Sequence, residues 1–205
     1  MGILTIGLTG GPATGKTTVA KLLLKSGAAV ISADRIGHEL LERNRRVRRL
    51  VKKLLGDEVF GPGGTPDRGK IARIVFADPA ILMQFNTIMH PPLLREIKRR
   101  INRFRREKST SMIVVEAALI FEWGIANWFD YLISVDAPIT LRLARCAKAA
   151  FRPEQLRQRI KAQMPQKEKN ALADWIIKND GDMNELKRSV GKVLRAIRKG
   201  KIGRR

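Results

Sequence analysis

A glycine-rich segment near the start of the chain constrains the fold more than any other feature. It reads Gly10-Gly11-Pro12-Ala13-Thr14-Gly15-Lys16-Thr17 and matches the pattern G-x-x-x-x-G-K-[ST]. The apolar run before it, Ile3–Thr9, is typical of a buried β-strand. The residues after it place Val19, Leu22 and Leu23 on one side of a helix. This strand–loop–helix context separates a phosphate-binding loop from a chance match to the pattern.

The chemistry of this loop favours the phosphates of a nucleotide as its ligand. Glycines let backbone N–H groups turn inward around phosphate oxygens, and the following helix directs its positive dipole end toward the same atoms. Lys16 would reach the β- and γ-phosphates, and the hydroxyl of Thr17 would bind Mg²⁺. We therefore expect the nucleotide to be bound by Gly11, Pro12, Ala13, Thr14, Gly15, Lys16, Thr17 and Thr18.

Composition limits the class of protein. The 205 residues are 44% hydrophobic, which suffices for one globular unit with a substantial core. No apolar run approaches the roughly 20 residues that a membrane span needs. Cys146 is the single cysteine, which excludes an intramolecular disulfide and predicts a reducing compartment, most simply the cytoplasm. One cysteine and two histidines argue against a structural zinc site.

The chain is strongly basic, with a formal net charge of +22. The basic residues are concentrated in 43–53, in 95–108 and from 187 onward. Such runs attract anions, whether nucleotides, coenzymes or RNA, but they are also typical of solvated helix faces. Because a small polyanionic substrate needs only a few of these charges, we do not expect nucleic-acid binding to be the main function.

The order of apolar patterns along the chain predicts an α/β fold with a parallel sheet covered by helices. Strands are predicted at Ile3–Thr9, Ala28–Ser32, Met112–Glu116, Tyr131–Asp136 and Trp175–Ile177. The first helix is predicted from Lys16 to just before Gly27, and a second helical stretch covers Arg35–Leu55 with a break at Asn44. Further helices are predicted at Lys70–Phe76, Pro79–Met89, Pro92–Lys108, Ile139–Ala150, Pro153–Met164, Gln166–Ala173 and Met183–Arg198.

Asp34 follows the second predicted strand and is a candidate catalytic residue. In a right-handed βαβ unit the two strands are parallel, so their carboxyl ends reach the same edge of the sheet. A carboxylate there could accept the proton of a substrate hydroxyl or bind Mg²⁺ through water. Aspartate is also a good N-cap for the helix expected to begin at Arg35, and the two roles are compatible.

Beyond the loop, the chain resembles the dephospho-CoA kinase family over about residues 3–190. The similarity continues from the phosphate loop through Ala33-Asp34-Arg35 with His38-Glu39-Leu40. Its most discriminating part is Asp67-Arg68, Ile74-Val75-Phe76, and Asn86 with Ile88, His90 and Pro91. The segment Leu119-Ile120-Phe121-Glu122 resembles the family's Pro-Leu-Leu-Phe-Glu. Further residues resemble the family's lid and adenine-side segments, namely Arg142, Arg145, Arg159, Gln163, Ala173-Asp174, Asn179 and Gly181.

The resemblance implies both a fold and an activity. The fold would be a P-loop kinase fold with a nucleotide-binding core (1–33, 109–140 and 174–205), an inserted helical acceptor lobe (34–108) and a helical lid (141–173). The reaction would transfer the γ-phosphoryl group of ATP to the 3′-hydroxyl of the ribose of dephospho-CoA, with Mg²⁺ present. The implied catalytic residues are Asp34, Lys16 and Arg145, the implied ATP contacts include Arg142, Asn179 and Gly181, and the implied acceptor contacts are Asp34, Arg68, His90 and Glu122.

The chain departs from the family's pattern at four places, one of which is Ala13-Thr14 in the loop, where the family usually has Gly-Ser. Ser32 stands where the family often has an acid, so Asp34 is the only carboxylate at the end of the second strand. Ala118 replaces a common proline. The run Cys146–Phe151 contains no arginine, so the identity of the lid arginine that acts on the transferred phosphoryl group is open.

Several of the implied site residues also have ordinary structural explanations. Arg145 could be a solvated helix charge, and Arg142 could lie on the core. His90 before Pro91 could mark the end of a helix, because a residue before proline is disfavoured in the helical region. Glu122 could pair with an arginine, and Asn179-Asp180-Gly181 is a typical turn sequence.

Two other functions fit part of the sequence. A nucleoside monophosphate or shikimate-type kinase shares the loop and the carboxylate after strand two, but it is not expected to carry Asp67-Arg68 and His90-Pro91. A nucleic-acid-binding NTPase fits the charge. Such an enzyme needs a strand-end acid beside a second catalytic acid, and neither Glu116 nor Asp136 has such a neighbour in the sequence.

Overall fold

A computed structural model of the chain describes residues 2–148 and 153–200. The predicted helix end at Ala150, residues 149–152 of the predicted lid and the last residues of the basic tail, 201–205, lie outside the described residues. The chain forms two compact units. The first contains the residues up to Ile31 and those from Ile101 onward, and the second is Ser32–Arg100. The division into core, acceptor lobe and a separate lid stays a prediction.

The strands in the described part of the chain are β1 (Leu4–Thr9), β2 (Ala29–Ser32), β3 (Met112–Glu116), β4 (Tyr131–Asp136) and β5 (Trp175–Lys178). They form one sheet in the order β2-β3-β1-β4-β5. The pairings of β1 with β3, β1 with β4 and β4 with β5 are parallel. Because β1, β3 and β4 are nearly continuous apolar runs, they are buried along most of their length, as strands covered on both faces must be.

The helices, in chain order, are α1 (Lys16–Lys25), α2 (Ala33–Arg43), α3 (Arg45–Leu55), α4 (Arg68–Ala77), α5 (Pro79–Glu107), α6 (Ile139–Lys148), α7 (Pro153–Lys161), α8 (Gln166–Leu172) and α9 (Met183–Arg198). Short 3₁₀ turns lie at Asp57–Val59, Pro62–Gly64 and Ala126–Trp128. No helix among the residues that the structure describes is long and apolar enough to cross a membrane.

Local capping explains why several helices end where the sequence predicts. After α1, Gly27 adopts φ 90°, a left-handed conformation that glycine accepts at little cost. Asn44 ends α2, and its Oδ1 accepts a hydrogen bond of 3.0 Å from the backbone N–H of Val47, which caps α3. The predicted break at Asn44 is therefore confirmed.

Each unit has its own hydrophobic core. In the first, α1 and α9 pack against the sheet through residues such as Val19, Leu23, Leu186 and Val190, which join Ile6 of β1. In the second, the core is made by α2, α3, α4 and α5 and includes Leu41, Val51, Phe60, Ile71, Val75 and Met89. The periodic apolar faces read from the sequence are thus the faces that are buried.

Two local predictions are wrong. Helices predicted at Pro79–Met89 and Pro92–Lys108 are one helix, α5, which continues through Pro91 and Pro92. The prolines remove two backbone donors, but Met89, Leu93 and Ile97 are all buried, and this packing outweighs the local preference to stop.

The second wrong prediction concerns Asp34. The helix begins at Ala33 and not at Arg35, and its N-cap is Ser32, whose Oγ lies 3.5 Å from the backbone nitrogen of Arg35. Asp34 therefore lies inside the first turn of α2, where its negative charge is favourable to the helix dipole, and it is not the cap.

Candidate active site

The glycine-rich loop joins the end of β1 to the start of α1 and has the backbone conformation of a phosphate loop. Gly10, Ala13 and Gly15 have φ values of 139°, 59° and 97°. A Cβ atom on Gly10 would lie 2.3 Å from the carbonyl oxygen of Val135, and one on Gly15 would lie 2.0 Å from Nδ2 of Asn179. These two positions therefore require glycine for both conformation and space.

The last two residues of the loop motif, Lys16 and Thr17, are also the first two residues of α1. Lys16 is the first residue of this helix, and its Nζ donates to the carbonyl oxygen of Gly11 at 3.0 Å. The backbone N–H of Thr18 donates to Gly15 at 3.0 Å, which closes the first turn. Lys16 and the helix N-terminus thus lie on the loop, as predicted, where cationic and dipolar groups favour phosphate.

Thr17 is bound to a buried acid that the sequence analysis did not assign to the site. Its Oγ1 donates to Oε1 of Glu116 at 2.6 Å, and Glu116 is the last residue of β3, 7% exposed. The strand register pairs Leu8 with Glu116, which brings the acid to the strand end from which the loop departs. The position of Glu116 at the end of an apolar strand could have indicated a site residue from the sequence. No second acid directly follows Glu116 to strengthen that signal.

A hydroxyl and a carboxylate are oxygen donors of the kind that Mg²⁺ prefers, so Thr17 and Glu116 fit this ion. In the part of the chain that the structure describes, there is no cluster of three or more histidine, cysteine, aspartate or glutamate side chains that could hold a metal by itself. In kinases Mg²⁺ usually keeps several waters and binds substrate phosphates besides one or two protein oxygens.

Two arginines of α6 contact the carbonyl oxygens of the loop. Arg142 is 6% exposed, and its Nε donates to the carbonyl oxygen of Pro12 at 2.8 Å. Burial lowers the pKa of Arg142, and the charge of Asp136 opposes this shift. Nη1 of Arg145 lies 3.5 Å from the carbonyl oxygen of Ala13. Both arginines therefore contact backbone carbonyl oxygens of the loop, and the ATP contact and the catalytic role that the resemblance implied for them stay predictions.

Asn179 connects Arg145 to the loop. Its Nδ2 donates to the carbonyl oxygen of Thr14 at 2.8 Å, and its own carbonyl accepts from Nη2 of Arg145 at 2.7 Å. Gly181 lies next to the capping box of α9, where a Cβ would be 1.7 Å from Oε2 of Glu185. Asn179 is thus a side-chain contact of the phosphate loop, while Gly181 provides space for a helix cap.

Helix α8 contributes a polar network that the sequence analysis missed. Oε1 of Gln166 accepts from the backbone N–H of Gly11 at 2.7 Å. Its Nε2 donates to Oγ of Ser134 at 3.0 Å and to Oδ1 of Asn170 at 2.7 Å. Nδ2 of Asn170 in turn donates to Asp136 at 2.9 Å. The spacing of polar residues at i and i+4 on a short helix was the signal that could have suggested one inward polar face.

Glu122 has a different partner from the arginine that the sequence suggested. Its Oε1 accepts from Nζ of Lys169 at 2.7 Å and from the backbone N–H of Met164 at 2.9 Å. Lys169 is fully buried, and it also donates to the carbonyl oxygen of Ala118. Burial lowers the pKa of Lys169, and the hydrogen bond and charge of Glu122 oppose this shift. Lys169 was also missed by the sequence analysis.

The other predicted acceptor contacts, together with Asp34, belong to the second unit. Arg68 forms an ion pair with Glu42, and the side chains of both are partly exposed. His90 is half-buried within α5, and burial lowers its pKa. It lines an open groove of about 420 Å³ on α5 together with Met83, Asn86 and Pro91. His90 is therefore a groove residue inside a helix and does not mark the end of one.

Comparisons with known proteins decide the family. The family model for dephospho-CoA kinase matches residues 4–185. This chain belongs to the dephospho-CoA kinase family. The dephospho-CoA kinase of Thermobifida fusca (strain YX) is 35% identical over 198 residues, which cover 96% of this chain and 98% of that protein.

Two solved structures are similar to this chain over nearly its whole length. The crystal structure of TT1252 from Thermus thermophilus has a TM-score of 0.75 and 30% identity, and covers 96% of this chain and 99% of that one. The dephospho-CoA kinase from Campylobacter jejuni has a TM-score of 0.69 and 25% identity, and covers 96% of this chain and 98% of that one. The predicted P-loop kinase fold and the predicted function, that of an ATP-dependent dephospho-CoA kinase, are confirmed.

Proposed function

We propose that this enzyme transfers the γ-phosphoryl group of ATP to the 3′-hydroxyl of the ribose of dephospho-CoA, with Asp34 as the group that orients and deprotonates that hydroxyl. The observation that carries the proposal is the phosphate loop at the start of α1, whose Thr17 hydroxyl is bound to the buried Glu116 at 2.6 Å. Phosphoryl transfer needs alignment and charge neutralisation more than covalent chemistry, and the loop N–H groups, Lys16 and an Mg²⁺ ion bound at Thr17 would supply both.

In this proposal the residues of the first unit hold ATP. Thr17 would bind Mg²⁺ with Glu116 behind it, and the ion would neutralise charge on the β- and γ-phosphates. Lys16, which donates to the carbonyl oxygen of Gly11 in the structure, would exchange this acceptor for phosphate oxygens. Arg142 and Asn179 support the proposal because they contact the loop backbone and so hold its shape.

Arg145 is our candidate for the lid arginine that acts on the transferred phosphoryl group. Its contacts with loop carbonyls and with Asn179 give it a second task, which is to brace the loop. Loss of support for the loop would weaken ATP binding, whereas loss of the action on the phosphoryl group would lower kcat. On the acceptor side, Arg68, His90 and Glu122 are the residues proposed to contact dephospho-CoA.

A coupled assay of ADP release with three acceptors tests the substrate. Dephospho-CoA, adenosine monophosphate and shikimate are supplied separately at equal concentration, with ATP and Mg²⁺ in excess and omission of Mg²⁺ as a further arm. We expect turnover with dephospho-CoA and with neither of the others, and loss of turnover without the metal. Equal or faster turnover with one of the other acceptors would assign the enzyme to a different small-molecule kinase.

The role of Asp34 is tested by Asp34→Asn. Loss of a positioned general base lowers turnover by about 10²–10⁴-fold, whereas the phosphate loop is unchanged, so we expect a large decrease in kcat with nearly normal ATP affinity. Asp57→Asn is a suitable control because Asp57 is an exposed acid in the same unit that pairs with Lys52. A wild-type rate in Asp34→Asn would exclude Asp34 as the proton acceptor.

We also propose that the enzyme acts in the cytoplasm. Its one cysteine, Cys146, is free and buried, which fits a reducing compartment. Fractionation of the producing cells with an antibody against the protein would test this location.

A further inference from the structure

Lys169 is the one lysine among the fully buried large side chains of the described residues. Its side chain is 0% exposed, and it lies on α8. A buried ammonium group is costly unless its hydrogen bonds and charge are matched, so such a lysine is rarely retained without a partner. Here the partners are the carboxylate of Glu122 and the carbonyl oxygen of Ala118.

The two partners of Lys169 lie at the ends of one short segment, residues 118–122. Ala118 also accepts a hydrogen bond of 3.2 Å from the hydroxyl of Thr9, the last residue of β1 before the phosphate loop. Lys169 therefore hydrogen-bonds to both ends of this segment. The Ala118 end is also hydrogen-bonded to β1, the strand that leads into the phosphate loop.

Among the described residues, the hydrogen bonds to Glu122 fall on one of its two carboxylate oxygens. The hydrogen bonds from Lys169 and from the backbone of Met164 both fall on Oε1. Within the described residues no hydrogen bond to Oε2 of Glu122 is formed, and the side chain is 23% exposed. The carboxylate is thus oriented through one oxygen, while the other can accept a hydrogen bond from a ligand hydroxyl or N–H group.

We propose that Lys169 is a positioning residue for the acceptor: it holds the Glu122 carboxylate so that Oε2 accepts a hydrogen bond from dephospho-CoA. This inference rests on the proposed acceptor role of Glu122. It predicts that the loss of the lysine acts on the affinity for the acceptor and not on the affinity for ATP. The side chains of other residues hydrogen-bond to the backbone of the phosphate loop: Gln166 accepts, and Arg142, Arg145 and Asn179 donate.

The test compares Lys169→Met, Glu122→Gln and the double variant, with Lys167→Met as the control. Lys167 is an exposed lysine on the same helix. Thermal unfolding establishes that each variant folds, and steady-state kinetics give kcat and KM for ATP and for dephospho-CoA. Lys169→Gln, which keeps a polar group, replaces Lys169→Met if the latter does not fold.

We expect Lys169→Met to raise the KM for dephospho-CoA at least tenfold while the KM for ATP changes less than twofold. Glu122→Gln should raise the same KM, and the double variant should be no worse than the worse single variant, because both changes remove one interaction. Lys167→Met should behave as wild type.

Four results would overturn the inference. A parallel rise of both KM values, or an unchanged acceptor KM with lowered thermal stability, would assign Lys169 a purely structural role, and so would failure of both Lys169 variants to fold. A wild-type acceptor KM in Glu122→Gln would remove the acceptor contact itself. Failure of the proposed function would give a different result, because the wild-type enzyme itself would then not phosphorylate dephospho-CoA.

Discussion

Replacing Arg145 by methionine removes a guanidinium that contacts the phosphate loop and the end of β5 together. Nη2 donates to the carbonyl oxygen of Asn179 at 2.7 Å, and Nη1 lies 3.3 Å from that of Thr14 and 3.5 Å from that of Ala13. Methionine keeps an unbranched apolar side chain, so the variant chiefly removes the charge and the donors. We expect the loop to lose part of its support and ATP to bind more weakly.

The structure sets the size of this effect. A hydrogen bond from a charged donor contributes about 1.5–3 kcal/mol. The bond to Asn179 is short, whereas the two contacts of Nη1 are long, so about 2 kcal/mol is a reasonable sum. At about 1.4 kcal/mol for each factor of ten, ATP affinity should fall by up to roughly 30-fold, because only the part of this energy that favours the ATP-binding shape of the loop affects binding. Loss of an arginine that stabilises the transferred phosphoryl group would instead lower kcat by about 10³–10⁵-fold.

Two measurements separate these effects. Calorimetric titration with a non-hydrolysable ATP analogue gives the nucleotide affinity, and the coupled assay at saturating dephospho-CoA gives kcat. Arg157→Met is the matched control, since Arg157 is an exposed arginine of α7. Unchanged nucleotide affinity in Arg145→Met would refute the argument that this residue braces the loop. A kcat lowered 1,000-fold would identify Arg145 as the lid arginine, and a kcat within tenfold of wild type would exclude it.

Three further changes have defined outcomes. In Gly7→Val the new Cβ would lie 2.6 Å from Cδ2 of Leu132, so overpacking of about 1–3 kcal/mol should lower the unfolding midpoint by roughly 2–12 °C; an unchanged midpoint would show that the strand yields. In Gln166→Leu the N–H of Gly11 loses its acceptor, which costs about 1–3 kcal/mol, so the KM for ATP should rise by up to about 150-fold, in full only if the whole cost falls on the ATP-binding shape of the loop; a wild-type KM would contradict this. Burial lowers the pKa of His90 below 6.5, so the unfolded state binds its proton first as pH falls, and stability is lost below about pH 6.5. The midpoint should therefore fall less between pH 7 and 5 in His90→Gln than in wild type, and an equal fall would exclude His90 as the cause.

Local signals explain which parts of the fold could be predicted. The loop at Gly10–Thr17, the strands Met112–Glu116 and Tyr131–Asp136 and the helix Met183–Arg198 are confirmed. In each case the residues that specify the element lie within it or directly beside it: a glycine pattern, a continuous apolar run, or a capping aspartate before an amphipathic repeat.

Helix α5 shows where a strong local signal is overruled. Pro91 and Pro92 argue for two helices, because proline has no N–H to donate and disfavours helical conformation in the residue before it. The structure keeps one helix, since Met89 before the prolines and Leu93 and Ile97 after them are buried. Burial of these side chains depends on partners that a local pattern does not reveal.

The sequence by itself determined the family, the phosphate loop and the edge of the sheet from which that loop departs, because each depends on residues close together in the chain. Only the tertiary structure decided the partners of the site. Three hydrogen bonds of the site join residues far apart in the sequence: Thr17 and Glu116 are separated by 99 positions, Gly11 and Gln166 by 155, and Glu122 and Lys169 by 47. Hydrogen bonds of about 3 Å between such distant residues depend on how the strands pair and on which face of α8 turns inward, and these follow from burial of the whole core.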